Sequence, residues 1–146
     1  MIHCTHSYIN HVGTLKAIYP AKLEAKEYCT YGLNLYGGCS HDCLYCYNKA
    51  RFTDPNWRNK KSSLEAIEHD LKNWQGPREL VNLTFVGDAY DLGRDDMTSR
   101  DVLQLFRKYD HHFQMLTKGG LKACIIFSHD TRHEVYLIWH HQAFLC

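Results

Sequence analysis

Apolar residues fall into short patterned runs separated by turn-forming stretches, and the period of each run predicts an element. Leu33 and Leu35 alternate with Asn34 within Tyr31–Tyr36, which predicts a first strand. Leu64, Ile67, Leu71 and Trp74 recur at helical spacing behind Ser62 and Glu65, whose separation is that of a capping box. The spacing predicts a helix running to about Trp74, stopped by Gly76-Pro77. Leu80–Val86 is an apolar, β-branched run bounded by turn residues, as expected of a buried parallel strand. A second helix is predicted from Thr98 and Asp101 onward, with Val102, Leu105, Phe106 and Tyr109 as its buried stripe. Phe113–Thr117 reads as a third strand. Strands alternating with helices specify an α/β fold, and right-handed crossovers would make its strands parallel with the helices outside.

The ends of the chain lack this order. Residues 1–30 carry scattered apolar positions without a sustained period, and Pro20 interrupts any helix there. They read as a lead-in segment in which Ala21–Glu27 forms at most a short helix. From Cys124 onward the character changes again, with His133, Trp139, His140 and His141 crowded together. The organisation expected is a lead-in over 1–30, a core over 31–123 and a divergent tail over 124–146.

Composition narrows the function classes. With 146 residues, 45% hydrophobic content and a formal net charge of +1, the chain reads as one globular domain or a piece of one. No stretch approaches a membrane span, and the charge gives no broad footprint for nucleic acid. Seven cysteines, an odd number, with no hydrophobic leader, point to a reducing compartment and a metal, not to disulfides.

Three of those cysteines stand close together, as Cys39, Cys43 and Cys46 in a C-x-x-x-C-x-x-C loop directly after the first predicted strand. A structural zinc site closes with four protein ligands, for which His41 or Cys29 would have to serve; three thiolates on one loop suit a face of an iron–sulfur cluster. Gly37-Gly38 ahead of the loop lets the backbone curl and approach closely. A second candidate site lies after the second predicted strand, at Gly87-Asp88-Ala89-Tyr90-Asp91. Its bland alternative is a solvated acidic turn with Asp95 and Asp96.

The stretch Leu35-Tyr36-Gly37-Gly38-Cys39-Ser40-His41-Asp42-Cys43-Leu44-Tyr45-Cys46-Tyr47 resembles the cluster loop of radical S-adenosylmethionine (radical SAM) enzymes, in the branch similar to spore photoproduct lyase. The resemblance covers approximately residues 30–123. It implies the N-terminal part of a (β/α) barrel, with a [4Fe-4S] cluster on Cys39, Cys43 and Cys46. It further implies S-adenosylmethionine on the open iron, reductive cleavage to a 5'-deoxyadenosyl radical, and a small electron donor such as flavodoxin or ferredoxin in the cytoplasm. Tyr45 matches the position next to the adenine. Gly87 and Asp88 occupy the place of the Gly-Gly-Glu segment that meets the amino group, with Asp88, Asp91 or neither making that contact. Thr117-Lys118 resembles a strand end that faces the cofactor side. No cysteine stands between Gly87 and Lys122, where the repair lyase carries its hydrogen-returning thiol, so photoproduct repair is not expected and the substrate stays unassigned. A six-unit barrel takes about 180–200 residues at ~30 per unit. The expectation is therefore a truncated or frame-disrupted core, with an inactive cluster-binding fragment or a zinc module as the alternatives.

Overall fold

The computed structural model describes residues 15–41, 43, 44, 46, 48, 62–91 and 97–118. Its named elements are β1 (Tyr19–Pro20), a 3₁₀ turn (Leu23–Glu27), β2 (Tyr31–Leu33), α1 (Leu64–Lys72), β3 (Val81–Leu83), α2 (Met97–Lys108) and β4 (Phe113–Met115). The strands form one sheet in the order β1-β2-β3-β4. β2, β3 and β4 are parallel, with Tyr31 opposite Val81 and Val81 opposite Phe113, as the alternation of strand and helix requires. The arrangement is a mixed α/β fold on a mostly parallel open sheet.

Side-chain alternation gives the sheet two different faces. Tyr31 and Leu33, Val81 and Leu83, and Phe113 and Met115 point into the core, where they meet Ile67 and Leu71 of α1 and Val102 and Phe106 of α2. The register row between them, Gly32-Asn82-Gln114, lies on the other face. There Gln114 Nε2 donates to the Tyr28 carbonyl at 2.9 Å.

Element boundaries differ from the sequence expectation for physical reasons. Helix α1 is capped by Ser63, whose Oγ accepts from Ala66 N at 3.2 Å. Ser62 is drawn into the loop after β2 instead, its N–H donating to Leu35 O at 3.1 Å and its hydroxyl to Asn34 O at 2.8 Å. The helix ends at Lys72, short of Trp74, where Asn73 closes it by donating to the His69 carbonyl. Helix α2 already includes Met97, so Thr98 and Asp101 lie within its first turns and neither precedes it as a cap. Strand β3 stops at Leu83 because Thr84 adopts φ 68°, a left-handed conformation that leaves the pleat.

The lead-in joins the same sheet. β1 pairs antiparallel with β2, Tyr19 opposite Gly32 and Pro20 opposite Tyr31. Asp70 of α1 secures the chain just before it. Its buried carboxylate accepts from the backbone N–H groups of Lys16, Ala17 and Ile18 at 2.7–3.0 Å. Ile18 is thereby held in the core.

Candidate metal centre

In parallel α/β sheets the loops that follow the strands gather at one end, and this chain places its chemistry-bearing residues there. The loop after β2 carries Cys39, Cys43 and Cys46; the loop after β3 carries Gly87, Asp88 and Asp91; Thr117 and Lys118 follow β4.

Asn34 binds the first two loops together. Its Oδ1 accepts from Phe85 N at 2.9 Å and Val86 N at 3.3 Å, while its Nδ2 donates to Tyr19 Oη at 2.7 Å. Gly38 N donates to Val86 O at 2.8 Å, and Gly38 pairs with Gly87 in an isolated parallel bridge. Both glycines are required. Gly38 has φ 76°, and a Cβ on Gly87 would lie 2.5 Å from the Gly38 carbonyl oxygen. The entry to the cysteine loop is also tied to the helix layer, where Tyr36 Oη donates to Ala89 O at 2.6 Å and lies 3.1 Å from Ser99 Oγ of α2.

Cys43 is buried, and Cys39 and Cys46 are partly exposed. Cys46 N donates to Cys43 O at 3.1 Å, closing a turn that puts these two cysteines on one bend of the loop. Burial pushes the Cys39 thiol up, a backbone N–H of His41 pulls it down, and the charges of Asp88, Asp91 and Cys46 push it up further.

The two carboxylates are buried, which excludes the solvated turn for Asp88 and Asp91. Asp91 receives Ser40 through both its backbone N–H, at 2.9 Å, and its hydroxyl. Asp88 likewise has several partners. Its Oδ1 accepts from Tyr90 N at 2.8 Å and Thr117 Oγ1 at 2.5 Å, and its Oδ2 accepts from Lys118 N at 2.6 Å. His41 Nε2 lies 3.3 Å from the same Oδ2. Lys118 Nζ stands 3.0 Å from Cys43 Sγ.

The donor set fits a group that takes three thiolates and leaves a position open. Among the described residues no three of His, Cys, Asp or Glu are gathered closely enough to hold a single metal ion. Cys29, the other candidate ligand for zinc, is buried and directs its Sγ to the Ala25 carbonyl at 3.7 Å, one turn back on its own segment. Tyr45, assigned to the adenine by resemblance, lies outside the described residues, as do Asp42, Asp95, Asp96, Cys4 and everything beyond Lys118.

The sequence singles out the cysteines and the Gly87-Asp88 segment as candidates, but it does not show the partners that bind them. Ser40, Asn34 and Thr117 act through contacts between residues far apart in the chain. The one legible signal was the position of Thr117-Lys118 at a predicted strand end. The chain matches none of the family models, curated proteins or solved structures with which it was compared. No helix among the described residues is long and apolar enough to cross a membrane.

Proposed function

We propose that the chain is a radical SAM protein whose Cys39, Cys43 and Cys46 hold a [4Fe-4S] cluster beside bound S-adenosylmethionine. The observation that carries this reading is the position of the C-x-x-x-C-x-x-C loop. It follows a parallel strand and is bridged through Gly38 to Gly87, on the strand-end segment assigned to S-adenosylmethionine. When bound, the cluster and S-adenosylmethionine supply one-electron cleavage of a carbon–sulfur bond and a 5'-deoxyadenosyl radical. The chain's own contribution is to hold and orient. Cys39, Cys43 and Cys46 ligate, Gly87 lets the two loops approach, and Asp88 secures the end of β4 against them. By the resemblance, Gly87, Asp88 and Tyr45 are the residues assigned to S-adenosylmethionine. A small reductant such as flavodoxin or ferredoxin delivers the electron, in a reducing cytoplasm.

Anaerobic reconstitution with iron and sulfide tests the reading, followed by iron counting and electron paramagnetic resonance of the reduced protein. Four irons per chain are expected, with a signal that changes on adding S-adenosylmethionine and disappears in Cys43→Ala. A cluster whose signal ignores S-adenosylmethionine would reduce the chain to an inactive cluster-binding fragment. Zinc as purified, with no cluster after reconstitution, would replace the reading with a structural zinc module.

A further inference from the structure

We propose that Lys118 is a positioning residue that Asp88 holds against the Cys43 thiolate, setting the potential at which the cysteine loop's cluster takes up an electron. The inference rests on the cluster reading above and concerns what surrounds the ligands.

Its basis is the chain of contacts that leads to Cys43. Asp88 ties two loop ends together by hydrogen bonds, Tyr90 from the loop after β3 and Thr117 and Lys118 from the end of β4, with His41 Nε2 of the loop after β2 lying 3.3 Å from its Oδ2. The backbone of Lys118 is therefore fixed by a buried carboxylate, at 2.6 Å. From that anchor its side chain reaches Cys43 Sγ at 3.0 Å. Cys43 is 7% exposed, so the ammonium meets the sulfur where water screens their interaction little. A lysine needed only for solubility would extend its flexible stem into solvent; this one is partly buried and directed inward.

Two physical effects follow, with the same sign. A fixed positive charge stabilises the reduced state, which carries one more electron, over the oxidised state. An N–H···S hydrogen bond withdraws charge from the ligating sulfur and also favours reduction. Removing the ammonium therefore makes the cluster harder to reduce. Keeping the charge while changing the donor shape largely preserves the potential.

The test uses the full chain, reconstituted anaerobically as wild type, Lys118→Met and Lys118→Arg, with far-ultraviolet circular dichroism checking that each is folded. Midpoint potentials are read by dithionite titration followed by electron paramagnetic resonance. In Lys118→Met the reduction equilibrium is expected to fall at least tenfold, a downward shift of about 59 mV or more for one electron. Lys118→Arg is expected to stay within threefold of wild type. Iron uptake lost in Lys118→Met but kept in Lys118→Arg would overturn it, since the charge would then serve to hold the thiolate loop and not to set the potential. An unchanged potential in a fully loaded Lys118→Met protein would overturn the inference and leave the cluster reading standing. Equal shifts in both variants would overturn it too, because shape and not charge would be acting. Failure of the wild type to bind iron would instead remove the cluster reading itself.

Discussion

Gly87 has space for nothing larger than hydrogen, because its missing Cβ position is taken up by the approach of the Gly38 carbonyl, with the Tyr36 carbonyl 3.2 Å away. Backbone cannot swing aside as a side-chain tip does, so Gly87→Ala must separate the two loops. We expect it to cost about 1–3 kcal/mol in urea unfolding, the usual range for overpacking. The same variant should bind less iron on reconstitution, since the bridge to Gly38 orients the entry to Cys39. At this scale the sequence was informative wherever residue type alone restricts conformation. The glycines and cysteines could be singled out because few alternatives do their work. Asn34 could not, because an Asn within an alternating run looks like any solvent-facing strand residue. Its value lies in accepting from Phe85 and Val86, more than fifty positions away.

Helices α1 and α2 were legible because their apolar stripes repeat over several turns, and each stripe buries against the sheet as its period requires. Their ends were less so. Ser62 and Ser63 are equally able caps, and the choice between them was made by the carbonyl of Asn34, a tertiary acceptor invisible to local spacing. Strand β1, two residues long, has no period to detect; it exists because Asp70 holds the three preceding amides in place. Replacing Asp70 with Ala would leave those N–H groups without their acceptor at a mostly buried junction. A loss of about 3 kcal/mol is expected, since hydrogen bonds to a charged group are worth ~1.5–3 kcal/mol each and are not additive. Hydrogen exchange at Lys16, Ala17 and Ile18 should accelerate in the variant while the amides of β3 stay protected. Uniform acceleration throughout would show that Asp70 supports the whole fold and not this one attachment.

Acid sensitivity belongs to the whole molecule, and its clearest source lies in His111, 2% exposed, immediately before β4. It stacks edge-on against Trp74 at 4.9 Å and Phe106 at 6.3 Å, and its Nδ1 has no hydrogen-bond partner. A second ring proton would have no acceptor there. Burial, with Arg78 and His112 adding repulsion, depresses its pKa from 6.5 to about 4. The unfolded chain binds that proton near pH 6.5 and the folded chain does not until about pH 4, so stability falls as pH drops through this window. Above pH 6.5 the contribution is fully present, and below about pH 4 it is gone. His111→Phe should flatten the thermal midpoint between those limits relative to wild type; an identical slope in both proteins would assign the acid sensitivity to other groups.

The sheet also has a direction of growth. Along β1, Ala21 donates inward to Thr30, so by alternation the nitrogen of Pro20 faces outward, and proline has no hydrogen there to offer. That border turns away both an aggregating neighbour and an invading strand of the same chain. Among the described residues the opposite border is Phe113–Met115, beside the lysine that reaches Cys43, so a strand added there would lengthen the sheet and wall in the cysteine loop at the same time.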